Sequence, residues 1–338
     1  MKQILIVIRE NNNNILVDIN LSTIDKNIVE TKDSKIFEIK NYDIENFDNS
    51  QFFMNQANIL SHKINEYLLA NDFQKSNIIL SFDTFCFIEK IKLPKIALKN
   101  VNSNIDQELA NLYKSDYKTQ FLTSYVVNPI ISDKNTFQST ILLIRKRIYE
   151  RILYIINQLD AKLTKVVYYP DMILSTLVKD KLIDKTTPSI IVTTKDDGLC
   201  HIMVYLNNSL SATSYGYLEL DKVEEWIASI TESLKESKSA QRFKDKKVVP
   251  LSISKSFYDI FYPIIKEMEK DFGFFYEYEI SNLYIASAFI ETEYFDLCFN
   301  KRFPDLKVER ISLDPILIHS RNTKTAFTLP LRIKDAKK

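Results

Sequence analysis

Apolar residues along this 338-residue chain fall into short runs separated by polar turns, and one layout occurs twice. Ile4 to Ile8 (ILIVI) reads as a strand, Arg9 to Asn14 (RENNNN) as a turn and Ile15 to Ile19 (ILVDI) as the returning strand. Leu21 to Asp25 then leads to a third run, Lys35 to Ile39. Far downstream, within Pro188 to Leu220, Ile190–Thr194 is a β-branched strand followed by the turn Lys195-Asp196-Asp197-Gly198. Leu199–Leu206 returns, Asn207-Asn208 turns again, and Leu210–Leu218 completes the group. Two strand-turn-strand openings, roughly half the chain apart, predict two lobes built on one plan.

Between them the period changes. Met54–Ala70 carries Ala57, Leu60, Ile64, Tyr67 and Leu68 at helical spacing, and Ile78–Phe82 reads as a buried strand. Phe85–Pro94 (FCFIEKIKLP) alternates Phe85, Phe87, Glu89, Ile91 and Leu93, a half-buried strand closed by proline. A Ser103-capped helix to Lys114 follows, then strands at Thr119–Asn128 and Thr136–Ile144. The amphipathic helix Arg147–Leu159 turns Ile148, Ile152, Ile155, Ile156 and Leu159 inward, and Lys162–Tyr169 closes the run as a strand. This β-α-β-β-α-β series predicts a small subdomain inserted in the first lobe.

Pro170 starts a helix, Asp171–Lys181, that leads back to the repeated hairpin. After the hairpin, Asp221 and Glu224 open a helix reaching about Ser237, with Val223, Trp226, Ile227, Ile230 and Leu234 inward. Lys235–Lys247 is the most polar stretch and reads as an exposed loop. Val248–Ile253 predicts a strand, Ser256–Asp271 a helix, Tyr276–Ile280 a strand, and Ser281 the cap of a helix through Ala286, Phe289 and Ile290. The resulting division is 1–82 with 169–187 as the first lobe, 83–168 as the insert, and 188–338 as the second lobe with its tail.

Composition removes whole classes of chemistry. Globular chains average about 7% glycine, whereas only Gly198, Gly216 and Gly273 occur here. Phosphate-cradling loops need glycine so that backbone N–H groups can close on the anion, so P-loop, Rossmann and kinase-type loops are absent. Lys+Arg 45 against Asp+Glu 44 leaves a net charge of +1 without a basic tail, which argues against a nucleic-acid partner. Cys86, Cys200 and Cys298 stand far apart in apolar surroundings, as reduced, buried thiols of a cytoplasmic protein do. No apolar run approaches the ~20 residues of a transmembrane helix, and the N-terminus has no secretory pattern.

Candidate sites are few. His62, His201 and His319 are scattered and no CxxC or HxxxH spacing occurs, so no metal site is expected. Cys200 and His201 adjoin in a strand and point to opposite faces, which rules out a nucleophile–base pair. Asp196-Asp197-Gly198 has the composition of an ordinary hairpin turn. The aromatic group Phe272, Phe274, Phe275, Tyr276 and Tyr278 reads as core by default and as a peptide-binding surface on the sharper reading.

Several phrases carry a resemblance. FIEKIKLP, DQELANLY, TSYVV and STILLIRKRIYERILYIINQLDAKLTKVVYYP, with SIIVTTKDDGLCHIMVYLNNSL and VVPLSISKSFYDIFYPIIKEMEKDFGFFYEYEI, follow one another in an order similar to the bacterial FtsA and PilM proteins. The resemblance spans most of residues 1–295 and implies a two-lobed actin-like (ribonuclease H-like) α/β fold, with the insert as the IC-like subdomain and a reduced or absent IIB subdomain. Actin-like ATPases place Asp-x-Gly at each hairpin. This chain has Val7-Ile8-Arg9 and Thr193-Thr194-Lys195, and no glycine near Ser254 or Ala286–Ala288.

The departures imply a pseudo-ATPase with no catalytic residue, cofactor or metal: a scaffold at the inner face of the cell membrane. Its expected partner is a protein or peptide of a membrane-associated assembly. Cell division with a tubulin-like partner, as in FtsA, is the first expectation. A PilM-type platform for pili or secretion is the second, and an ATP-dependent enzyme or a filament the rivals. The expected partner groove is lined by Phe85, Phe87, Ile91, Leu93, Thr119, Phe121, Tyr125 and Val127, where a strand edge could accept a peptide by β-addition. Oligomeric state is left open.

Overall fold

In the computed structural model the described residues are 1–11, 14–25, 28–39, 50–114, 116–129, 135–184, 186–194, 198–206, 209–235, 280–287 and 303–311, with short pieces at 258–259, 262, 298, 300–301, 325–327 and 329–331. Along the chain, β1 (Lys2–Asn11), β2 (Asn14–Asp25) and β3 (Ile28–Ile39) form an antiparallel meander. Helix α1 (Ser50–Ala70) and strand β4 (Asn77–Phe82) follow. Next come β5 (Cys86–Pro94), a 3₁₀ turn (Lys95–Asn100), α2 (Val101–Tyr113), the single turn α3 (Tyr117–Gln120), β6 (Phe121–Pro129) and β7 (Thr136–Arg145). Helix α4 (Lys146–Ile156), strand β8 (Lys162–Tyr168) and helix α5 (Tyr169–Lys179) complete this part. Downstream lie β9 (Ser189–Thr194), β10 (Leu199–Leu206), β11 (Ser209–Tyr217), α6 (Leu220–Lys235), β12 (Asn282–Ser287) and β13 (Lys307–Arg310).

The strands make three sheets. The first has the order β3-β2-β1-β4-β8 and the second β11-β10-β9-β12-β13, while β5-β7-β6 stands apart. In both larger sheets a three-strand antiparallel meander is extended by two parallel strands. The repeat expected from the two hairpins is therefore carried through all five strands. β1 and β9 are the buried centres, and the run Ile4–Ile8 packs on both of its faces. Such a strand reads as a continuous apolar run, because helices or other layers cover both sides.

Three expectations are corrected. Lys162–Tyr168 does not close the insert; it pairs parallel with β4 and becomes the outer strand of the first sheet. The insert's own sheet is therefore three-stranded. Asn282–Ser287 is a strand, parallel to β9 and β13, and not the start of a Ser281-capped helix. The first turn of α2 carries no side-chain cap, and the helix begins at Val101, ahead of Ser103.

The chain divides into two compact units, Met1–Asp180 with Asp314–Lys338, and Lys181–Leu313. The C-terminal segment thus belongs with the first unit, whereas it was expected with the second. Its reason is specific: the Phe327 N–H donates to Asp171 Oδ2 at 3.0 Å, and the Tyr149 hydroxyl donates to the Pro330 carbonyl. The polar stretch 236–247, the strand expected at 248–253, most of the helix expected at 256–271 and the aromatic group at 272–278 lie outside the described residues; of that helix, residues 258, 259 and 262 are described and are helical.

Candidate functional site

Two places follow from the sequence: the hairpin ends, where an actin-like ATPase would hold phosphate, and the insert. At the first hairpin, Asp18 stands opposite Val7, so Arg9 is its diagonal neighbour on the same face of the β1–β2 ladder. Arg9 Nε donates to Asp18 Oδ2 at 2.6 Å, and the side chains are 4% and 16% exposed. Arg9 was expected in a solvated turn. Burial of a charge requires a partner, and Asp18 supplies it inside the strand. The end of β1 is further pinned by Asp83 N–H to the Ile8 carbonyl at 2.9 Å and by Glu10 N–H to Thr84 Oγ1 at 2.6 Å. Burial pushes the Glu10 carboxyl above its ordinary pKa, with Arg145 opposing.

At the second hairpin, Thr193 and Thr194 are buried strand residues, and residues 195–197 lie outside the described set. Gly198 has φ +85°, and a Cβ there would sit 2.5 Å from the Leu218 carbonyl oxygen. This glycine serves the close approach of β10 to the end of β11, where Leu218 N–H also donates to its carbonyl at 2.9 Å. Cys200 and His201 are both buried in β10. Among the described residues no group of three metal-ligating side chains converges. The three cysteines are free and buried, and burial raises each thiol pKa.

In the insert, β7 is central and β5 and β6 are both edges. Register puts Phe87 opposite Leu143 and Ile91 opposite Ser139, while Tyr125 stands opposite Ile141 and Val127 opposite Ser139. Phe87, Ile91, Leu93, Phe121, Tyr125 and Val127 consequently share one face of the sheet, the face closed by α2. There Ile91 and Leu93 form a core with Ile105, Leu109, Tyr117, Phe137, Ile141 and Leu143, and Phe87, Phe121 and Val127 pack on its margin. Phe87 and Phe121 meet edge to face at 5.4 Å, and Tyr113 meets Phe121 at 5.5 Å. Tyr113 donates to Glu89, and Tyr125 to Asn102.

The expected groove therefore separates into two sets. Phe85, Ile91 and Leu93 are buried, the latter two in the core of the insert, so they are not available as contact residues in this structure. Thr119 is exposed, but it belongs to α3, where its hydroxyl donates to the Asp116 carbonyl at 2.7 Å, and not to the strand. Phe87, Phe121, Tyr125 and Val127 keep accessible surface. Sequence reasoning missed Arg9–Asp18 and the carboxyl of Asp171. A lone Asp inside the apolar ILVDI run, and an Arg directly after ILIVI, were the available signals for the first.

Asp171 is 2% exposed, and burial, opposed by the N–H groups of Phe327 and Ala326 and by Lys165, raises its pKa to about 7. Its role is visible only once the C-terminal segment is in place.

No family model matches the sequence, and no curated protein sequence matches it. The fold has solved counterparts. A chain of the PilM–PilN type IV pilus biogenesis complex superposes with a TM-score of 0.54 at 13% identity, covering 88% of this chain and 88% of that one. The fold is actin-like. The cytoplasmic domain of EpsL, an inner membrane component of the type II secretion system of Vibrio cholerae, aligns at 8% identity with a TM-score of 0.47, over 94% of this chain and 93% of that chain. The ethanolamine utilization protein EutJ from Carboxydothermus hydrogenoformans aligns at 10% identity with a TM-score of 0.42, over 94% and 87%. At 13% identity the likeness to the PilM–PilN chain establishes the fold alone. Among the described residues no helix is long and apolar enough to cross a membrane.

Proposed function

We propose that this chain is a non-catalytic actin-like scaffold that binds a protein segment in a membrane-associated assembly. The observation that carries the non-catalytic part is the buried Arg9–Asp18 pair. It sits at the end of β1 where the family resemblance puts the Asp-x-Gly of an ATPase. There Val7 stands at the position of the Asp that organises Mg²⁺, and Arg9 at that of the glycine; its guanidinium repels a cation and is already engaged by protein. Thermal unfolding with and without Mg-ATP tests this directly: no saturable shift is expected, and a saturable one overturns it.

The partner surface is the exposed margin of the insert, Phe87, Phe121, Tyr125 and Val127, beside the outer edge of β6. The edge position of β6 and the flanking aromatic rings suit an extended peptide added as a fourth strand. The likeness to a PilM–PilN chain favours a pilus or secretion platform over the cell-division role first expected. A photo-reactive amino acid at position 125, activated in intact cells, should capture a pilus or secretion membrane protein. Capture of a tubulin-like division protein would select the division role instead, and no capture from 125 while a position on the opposite side of the insert does capture would remove this surface.

A further inference from the structure

β3 is the outer strand of the first sheet, and residues 30–36 are exposed. Beside it a groove of about 570 Å³ runs between β3 and α1, bordered by Ile36, Phe37, Ile59, Lys63 and Tyr67. Ile36 is 59% exposed and Ile59 51%. A long accessible edge of this kind is a template for another strand. We infer that its occupant is a second copy of the same strand, paired antiparallel about a twofold axis between Lys32 and Asp33.

The sequence of β3 is complementary to itself. In that pairing Val29 stands opposite Ile36 of the second copy, Glu30 opposite Lys35, Thr31 opposite Ser34 and Lys32 opposite Asp33. Apolar meets apolar, hydroxyl meets hydroxyl, and each charge meets its opposite, every pair occurring twice by symmetry. A slip of one residue brings Lys32 onto Lys32 or Asp33 onto Asp33.

Such a register asks for something unusual. A twofold axis normal to a sheet keeps faces, so paired residues must share a face. Residues 30 and 35 of a regular strand would not, because sides alternate. The irregularity opposite Leu21 and Ser22 solves this, since Leu21 pairs with Asp33 and Ser22 with Thr31, leaving Lys32 as the extra residue. Glu30 then stands opposite Thr23 and Lys35 opposite Ile19, on one face, while Val29 opposite Ile24 and Ile36 opposite Asp18 lie on the other. The bulge makes the self-complementary register geometrically consistent.

The groups are free to exchange partners. Lys32 holds Glu30 at 2.7 Å, an exposed and therefore weak pair. Lys35 lies over the rings of Phe37 and Tyr67 at 5.2 and 5.4 Å, beside the groove. Asp33 accepts the Ser34 N–H at 2.9 Å and retains acceptor capacity. This surface is distinct from the insert, so the inference does not depend on the proposed partner.

Sedimentation velocity on the full chain tests it. The native protein should form dimers that dissociate on dilution. Lys35→Glu and Glu30→Lys should each weaken the dimer by roughly tenfold or more, since each creates two like-charge pairs. The double variant Glu30→Lys/Lys35→Glu restores both pairs and should restore the dimer. Thr31→Cys/Ser34→Cys should cross-link between copies under oxidation, the native cysteines being buried. Because the altered side chains are exposed, unfolding temperatures should stay unchanged and confirm that the variants fold. A protein that remains monomeric at every concentration, a dimer indifferent to both reversals, or a double variant that stays monomeric would each overturn the pairing.

Discussion

Arg9 and Asp18 lie on adjacent strands, two positions out of direct opposition, and meet at 2.6 Å inside the sheet. The pair occupies a position where an actin-like ATPase would present an anion-binding turn. Its energetics are asymmetric. Asp18→Ala removes the carboxylate from beside a buried guanidinium and should cost about 3–5 kcal/mol. Replacing both members with apolar residues of similar volume should cost far less, and urea unfolding of the two variants gives the comparison.

Asp171 supplies a pH dependence. In the unfolded chain an Asp titrates near ~3.9, whereas burial raises the native group to about 7. Between those values the native state holds a proton that the unfolded state has lost. Stability from this group is therefore fully present below the lower value and falls as pH rises to the upper one, by up to about 1.4 kcal/mol per pH unit. Asp171→Asn should flatten the urea midpoint across that window, and an unchanged slope would contradict the assignment.

Phe327 is fully buried, and its N–H reaches Asp171 at 3.0 Å. Phe327→Ala should lower unfolding free energy by about 3–5 kcal/mol. The loss should register in the first unit, seen as faster amide exchange in α5.

Gly198 is fixed by its backbone. Alanine there meets both the positive φ and the Leu218 carbonyl, so Gly198→Ala should destabilise the second unit by more than about 1 kcal/mol. Calorimetry of the intact chain should show the loss in one transition, with the other left in place.

Much of this architecture is legible in the residues. The runs Ile4–Ile8 and Ile190–Thr194 identify the two central strands because burial on both faces leaves no alternation to confuse. Helix α1 is equally clear, since Ala57, Leu60, Ile64 and Leu68 all fall on its buried side. What the chain hides is pairing between distant strands. β8 joins β4, and β12 joins β9, through parallel ladders whose partners are separated by long stretches of sequence. A six-residue run such as Asn282–Ser287 has too little length for period alone to distinguish strand from helix.

The candidate surface shows a related limit. Alternation correctly placed Phe87, Ile91 and Leu93 on one side of β5, but it carries no record of what covers that side. Helix α2 covers it, so the apolar residues nearest Leu109 became core and only the margin stayed open. Arg9 was misread because a charged residue beside asparagines looks like turn chemistry; its partner is in the next strand.

The return of the C-terminal segment to the first unit bears on biosynthesis. Asp171 leaves the ribosome 156 positions ahead of Phe327. At the usual ~5–20 residues per second, the earlier-made half waits on the order of ten seconds for its last buried ring. During that interval the site that receives Phe327 stands open on the nascent chain, so premature termination anywhere in the second unit leaves an exposed apolar pocket for chaperones to recognise.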